Sequence, residues 1–224
     1  MPVTYTNRNI SREEAVVANH KEMAFFHGTM GSRKSLELML DQYRRQEKMH
    51  HNTLIIKPGE DLKAGSNIQT RAFGGEEREA LIMPSDAKAT EFVVREMQKA
   101  LGARATWTIY LDEVNLFTGK QVESLRSGIV DEDIADVNMY GLITDAFGHF
   151  FPGSEAALKL SDRIVQLDNI CDNEGCERPA MRNARIVDGH ILRDGPQIAI
   201  DGVHASYMAL CHKDYTADVV RPGN

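Results

Sequence analysis

Met23-Ala24-Phe25-Phe26 is a short apolar run leading into His27-Gly28-Thr29-Met30-Gly31-Ser32-Arg33-Lys34-Ser35, and Leu36-Glu37-Leu38-Met39-Leu40-Asp41-Gln42-Tyr43 then reads as a helix. Strand, small-residue loop, Lys-Ser and helix make the layout of a phosphate-binding loop. Backbone N–H groups of such a loop converge at a helix N-terminus, where the macrodipole favours an anion. On this reading Lys34 reaches the β- and γ-phosphates and the Ser35 hydroxyl binds Mg²⁺. The position before the lysine, usually glycine, is Arg33. Glycine serves there because φ can be positive, and an L-residue in that conformation costs about 1–2 kcal/mol. The competing reading is a chance turn ahead of a core helix.

A chain of 224 residues is long enough for one full α/β domain and a small appended subdomain. Its net charge of −7 gives no electrostatic drive toward nucleic-acid polymers or membrane surfaces, although a local basic pocket can still hold one nucleotide. No apolar run has the length of a membrane span, and the N-terminus lacks a signal-peptide core. Three cysteines, an odd number, argue against a disulfide framework and for a reducing, cytoplasmic setting.

Residues Met1 to Lys21 read as a polar arm, with Ser11-Arg12-Glu13-Glu14 as a helix start. Beyond the first helix, Asn52 to Lys57 is a buried-strand pattern closed by Pro58-Gly59, and Glu60 to Gly75 is a polar functional loop. Ala80 to Pro84 is a short strand, after which Ser85-Asp86 is expected to cap a helix from Ala87 to Leu101. Thr106 to Leu111 is a strand ending on Asp112-Glu113; a helix from Thr118 to Ser127 and a strand from Val137 to Leu142 follow. Leu158 to Leu167 reads as helical or extended, and Arg182 to Ile186 and Gln197 to Ile200 as short strands. Alternating elements with near-continuous apolar strands predict a parallel sheet covered by helices on both faces. Ligands bind such sheets at the carboxyl ends of strands, where the phosphate loop and Asp112-Glu113 both fall.

Asp112, at the end of a buried strand, can hold Mg²⁺, and Glu113 beside it can take a proton from a hydroxyl nucleophile. The plainer alternative is that the pair caps the helix behind it. Cys171, Cys176 and Cys211 have a ligand set for tetrahedral zinc, with His212 or Asp214 as the fourth; three reduced structural cysteines are the alternative. Phe147, Phe150 and Phe151 are read as core packing or, more sharply, as a platform for a base.

Taken in order, these segments resemble the thymidine kinases of the cytosolic, zinc-containing type. Gly28 to Ser35 is similar to G-x-M-x-S-G-K-S, Asp112 to Phe117 to D-E-x-Q-F-[FL], and Tyr140-Gly141-Leu142-Ile143-Thr144-Asp145 to Y-G-L-R-T-D. Phe151-Pro152-Gly153-Ser154 is similar to F-x-G-S, and Tyr207 to Tyr215 to Y-x-x-x-C-R-K-H-Y. The likeness implies a P-loop NTPase-type α/β fold with a small C-terminal zinc-binding subdomain. Its parts would be an extension (1–21), a kinase domain (22–168), a zinc subdomain with a loop covering the nucleoside (169–216) and a tail (217–224). It implies Mg²⁺-dependent transfer of the ATP γ-phosphate to the 5′-hydroxyl of thymidine or deoxyuridine, with Glu113 as base. Gly28, Thr29, Met30, Gly31, Ser32, Arg33, Lys34 and Ser35 would hold the phosphates, and Ser35, Asp112 and Asp61 the Mg²⁺. Met30, Asn115, Leu116, Leu142, Ile198, Ile200 and Tyr207 would line the nucleoside pocket. Structural zinc and a homotetramer acting on small molecules complete the expectation.

The sequence departs from that pattern at Arg33, at Lys63 for arginine, at Asn115 and Leu116 for glutamine and phenylalanine, and at Ala146 for an aromatic. Asp214 falls where the usual fourth zinc ligand is cysteine or histidine. A kinase for another or modified nucleoside, and a nucleotide-binding module without turnover, therefore stand as alternatives.

Overall fold

The computed structural model describes residues 20–59, 67–69, 77–100, 106–195 and 205–222. The extension through residue 19, Asp61 and Lys63, and the run from Gln197 to Gly202 with Ile198 and Ile200 lie outside the described residues.

In chain order the first elements are β1 (Met23–His27), α1 (Lys34–Glu47), β2 (Asn52–Pro58), β3 (Asn67–Gln69), β4 (Glu77–Glu79), β5 (Leu81–Met83), α2 (Ala89–Lys99) and β6 (Trp107–Leu111). A 3₁₀ turn (Val114–Leu116) follows, then α3 (Gly119–Leu125), a π-helical turn (Arg126–Val130), β7 (Ala135–Gly141), α4 (Pro152–Leu160) and β8 (Arg163–Gln166). The last are β9 (Arg182–Val187), β10 (His190–Ile191), β11 (Ser206–Leu210) and α5 (His212–Thr216).

Six strands pair in the order β5-β2-β6-β7-β1-β8, every pair parallel. Successive strand residues face opposite sides of a sheet, and here both sides are apolar. Met23, Phe25, Ile56, Ile109, Leu111, Val137 and Met139 pack with Phe92 and Val93 of α2, Val122 and Leu125 of α3, and Ala156 and Ala157 of α4. Their neighbours Ile55, Tyr110 and Tyr140 pack with Leu38 and Met39 of α1 on the other side. Each such fully buried side chain contributes about 1.5–3 kcal/mol. The fold is the expected α/β arrangement. A smaller antiparallel sheet, β10-β9-β11, holds its own core of Ala184, Ile186, Ile191, Met208 and Leu210 beside Cys171 and Cys211.

Some boundaries differ from the sequence expectations. Lys88, not Ser85 or Asp86, stands at the α2 N-cap and makes no side-chain cap; the Ala87 N–H turns back onto the Pro84 carbonyl instead (3.0 Å). The Leu158–Leu167 run is both helical and extended: α4 ends at Leu160, and β8 then pairs with β1. Thr118 caps α3 with a capping box to Gln121, so Asp112 and Glu113 are not its cap.

Candidate active site

The phosphate loop joins β1 to α1 at the carboxyl end of the parallel sheet. Its turn closes through Ser32 N–H to the Thr29 carbonyl (3.2 Å). Gly31 has φ 79° and Arg33 has φ 63°, so the arginine occupies the left-handed conformation that the usual glycine adopts freely. That costs about 1–2 kcal/mol, and the Arg33 side chain stands exposed. At Gly28 an added Cβ would collide with the Ser32 side chain and lie 2.8 Å from the Leu167 carbonyl. Ser32 Oγ is buried and has no hydrogen-bond partner among the described residues.

Lys34 is buried, and its ammonium donates to the carbonyls of Gly28 (3.2 Å) and Thr29 (2.9 Å). Burial lowers its pKa, while the negative charges of Glu113 and Asp112 act in the opposite direction. The fold thus brings the loop lysine into the field of the carboxylate pair that follows β6. Ser35 follows Lys34 in the first turn of α1.

Asp112 is buried at the end of β6, its N–H donating to the Ile56 carbonyl (3.0 Å). Glu113 has φ 52° and ψ 49°, a left-handed backbone conformation that ends the strand. The following 3₁₀ turn carries Asn115, whose Oδ1 accepts the Leu142 N–H (3.0 Å). Ser154 Oγ donates to the Leu142 carbonyl, so both polar groups of that residue are fixed. Gly153 is required here, because a Cβ would run into the Val114 and Phe117 carbonyls. The Phe151-to-Ser154 motif therefore docks α4 against the turn behind Glu113.

Leu116 and Leu142 are half-buried, whereas Met30 and Tyr207 are surface-accessible at 38 % and 37 %. Tyr207 accepts from Arg185 Nε (2.8 Å), and the guanidinium lies between its ring and that of Phe147. Phe151 is buried and Phe150 exposed, so the three phenylalanines do not form one packed cluster. Ala146 is buried, and its carbonyl accepts from Tyr215 Oη (2.8 Å). A cavity of about 190 Å³ beside the loop is lined by His27, Gly28, Thr29, Ile143, Thr144 and, from the β9 side, Ala180, Met181 and Asn183 among others.

The three cysteines are unpaired as disulfides, and their sulfurs gather with Asp214 so that all four donor atoms lie within 4.8 Å of one another. His212 is exposed on α5, outside this group. Asn173 Nδ2 donates to Asp214 Oδ2 (3.0 Å), which holds the Asp214 carboxyl below the usual carboxylate range. Arg178 Nη1 stands 3.6 Å from Asp214 Oδ1 and 3.8 Å from Cys176 Sγ. Three sulfurs and a carboxylate oxygen are a donor set that a tetrahedral zinc ion accepts.

Two asparagines escaped the sequence reading. Asn183 Oδ1 accepts the Met30 N–H (2.8 Å), while Asn169 Nδ2 donates to the Met30 carbonyl (2.9 Å) and to Thr29 Oγ1 (3.1 Å). Nothing in their local sequence marks them.

The sequence model of a family described as thymidine kinase matches residues 21–215. Curated relatives named thymidine kinase include that of Idiomarina loihiensis, 32% identical over 85% of this chain and 94% of its own length. That of Cutibacterium acnes is 30% identical over 87% of this chain and 88% of its own, and that of Legionella pneumophila 30% over 91% and 94%. The match runs from β1 through the parallel sheet and the β10-β9-β11 sheet into α5 and leaves little of these relatives unaligned. The chain belongs to the thymidine kinase family.

Proposed function

We propose that the protein transfers the γ-phosphate of ATP to the 5′-hydroxyl of thymidine or deoxyuridine, with Glu113 accepting the hydroxyl proton. The observation that carries this reading is the position of Lys34, after β1, and of Asp112 and Glu113, after β6, at the same carboxyl end of the parallel sheet. Lys34 and the loop N–H groups hold the phosphates, and Arg33 extends over solvent where it can add a charge-assisted contact. Ser35 and Asp112, with Asp61, hold Mg²⁺, which when bound neutralises charge developing on the transferred phosphoryl group. Glu113 faces the acceptor hydroxyl as general base. Met30, Leu142 and Tyr207, with Asn115, Leu116, Ile198 and Ile200, form the nucleoside pocket. Cys171, Cys176, Cys211 and Asp214 hold a structural zinc ion. The reading also carries a cytoplasmic homo-oligomer, tetrameric by family likeness.

A second reading, phosphorylation of another or 5-modified nucleoside, draws on two observations. Ala146 stands buried where the family pattern has a ring, and Phe147 packs on Arg185. Transfer of labelled γ-phosphate from ATP to a nucleoside panel tests both. Label on thymidine or deoxyuridine supports the first, and label confined to other nucleosides supports the second. No label on any, with ATP still bound, removes both.

A further inference from the structure

We propose that Asn183 and Asn169 are positioning residues for the phosphate loop, through which the cysteine-bearing subdomain sets nucleotide affinity. The inference takes from the kinase reading only that this loop binds ATP. Met30 is gripped on both sides: Asn183 accepts its N–H at 2.8 Å and Asn169 donates to its carbonyl at 2.9 Å. The second Asn169 bond, to Thr29 Oγ1 at 3.1 Å, extends the grip to the residue before. The Lys34 ammonium holds the carbonyls of Gly28 and Thr29, so Thr29 is bound at its carbonyl by Lys34 and at its hydroxyl by Asn169.

Both asparagines are themselves held. Asn183 sits buried in β9, paired with Ala209 of β11. The Asn169 carbonyl accepts the Ala180 N–H (2.8 Å), and Cys171, two residues on, donates its N–H to the Arg178 carbonyl (2.9 Å). The segment that presents both amides is therefore the one that carries Cys171 and Cys176. The loop needs this support more than a glycine-bearing one would, because Arg33 is strained at φ 63°. Anion binding by backbone N–H groups gains from donors already aimed, since ordering them on binding weakens affinity. A neutral amide supplies that order without placing a charge beside the phosphates.

The test is MgATP binding to the full chain by calorimetry, with steady-state kinetics alongside. Asn183→Leu, near-isosteric but unable to accept, is expected to raise the Kd and KM for ATP about tenfold, the scale of one hydrogen bond with its partner left unpaired. Its kcat at saturating ATP is expected to fall less than threefold, with metal content per chain unchanged. Asn169→Ala, at a half-exposed position where folding is not at stake, is expected to weaken ATP binding about fivefold. ATP affinities within twofold of wild type in both variants would overturn the proposal. So would a loss confined to kcat. Failure of the kinase reading shows separately, as wild-type protein that binds ATP but labels no nucleoside.

Discussion

Glu113 holds a left-handed backbone conformation immediately after a buried strand. Strain of this kind persists where surrounding structure over-determines it, and it clusters at working sites. Here the 3₁₀ turn closed by the Leu116 N–H on the Glu113 carbonyl (2.9 Å) supplies the constraint. Glu113→Gln keeps the shape and removes the proposed base. Its kcat is expected to fall by about 10²- to 10⁴-fold, with the Kd for ATP within twofold in a binding measurement. A matching loss of ATP affinity would mean the carboxylate acts in binding instead. The placement of Lys34 at a helix start and of Asp112 and Glu113 at a strand end was legible in the sequence from the apolar runs beside them. The left-handed φ at Arg33 was legible too, since the usual glycine at that position implies it. Asn169 and Asn183 were not, because their partners lie 139 and 153 residues away and an asparagine has no local signature of a distant partner.

At the level of elements, α1 is tied to the sheet by a polar network set among apolar contacts. Asp41 Oδ2 accepts from Tyr110 Oη (2.7 Å), Asn138 Nδ2 (3.0 Å) and Arg45 Nε (3.2 Å), and Arg44 pairs with Oδ1. Arg45 Nη1 continues to Asp136 (2.7 Å) and Thr108 (3.3 Å). Burial pushes the Asp41 carboxyl up, but Tyr110, Arg45 and Arg44 outweigh it and hold the carboxyl below its usual range. A depressed carboxyl contributes stability that is present above its unfolded pKa, about 3.9, and lost as pH falls through the folded value. Asp41→Asn is therefore expected to destabilise by about 1.5–3 kcal/mol at neutral pH. In denaturant titrations the gap to wild type should stay constant above about pH 5 and close as pH falls below the unfolded pKa. A gap that widens on acidification would contradict this account. Helices α1 to α3 and the core strands were readable from apolar runs, although α1 extends beyond its run to Glu47, whereas α4 from Pro152 and the short α5 were not. β3 and β4, an antiparallel pair of three-residue strands, were not readable either, and β8, an edge strand without a buried-strand pattern, was read only as part of a run that could be helical or extended.

For the whole molecule, the cysteines of the four-donor group pack in and against the core of the β10-β9-β11 sheet. Zinc analysis of purified protein is expected to give about one ion per chain, the number a single four-ligand site accepts. His212→Ala should leave that content unchanged, since His212 lies outside the group. Asn173→Ala, which removes the bond that orients Asp214, is expected to weaken zinc binding about 10- to 100-fold. Asp214→Ala should weaken it further. Zinc loss in His212→Ala with full retention in Asp214→Ala would reassign the fourth ligand. The sequence left Asp214 and His212 open because both lie within reach of Cys211 along the chain. Only the turn of α5, which buries one and exposes the other, separates them.

The grip on Met30 also bears on how the chain is born. Residues 28–35 leave the ribosome long before residues 169 and 183, so the nucleotide loop stays ungripped until most of the polypeptide has been synthesised. A ligand that binds only the finished arrangement adds stability only then. Contacts this distant in sequence are also slow to form. Full nucleotide affinity is thus expected only once β9 is in place, and a chain truncated before it is expected to bind ATP more weakly.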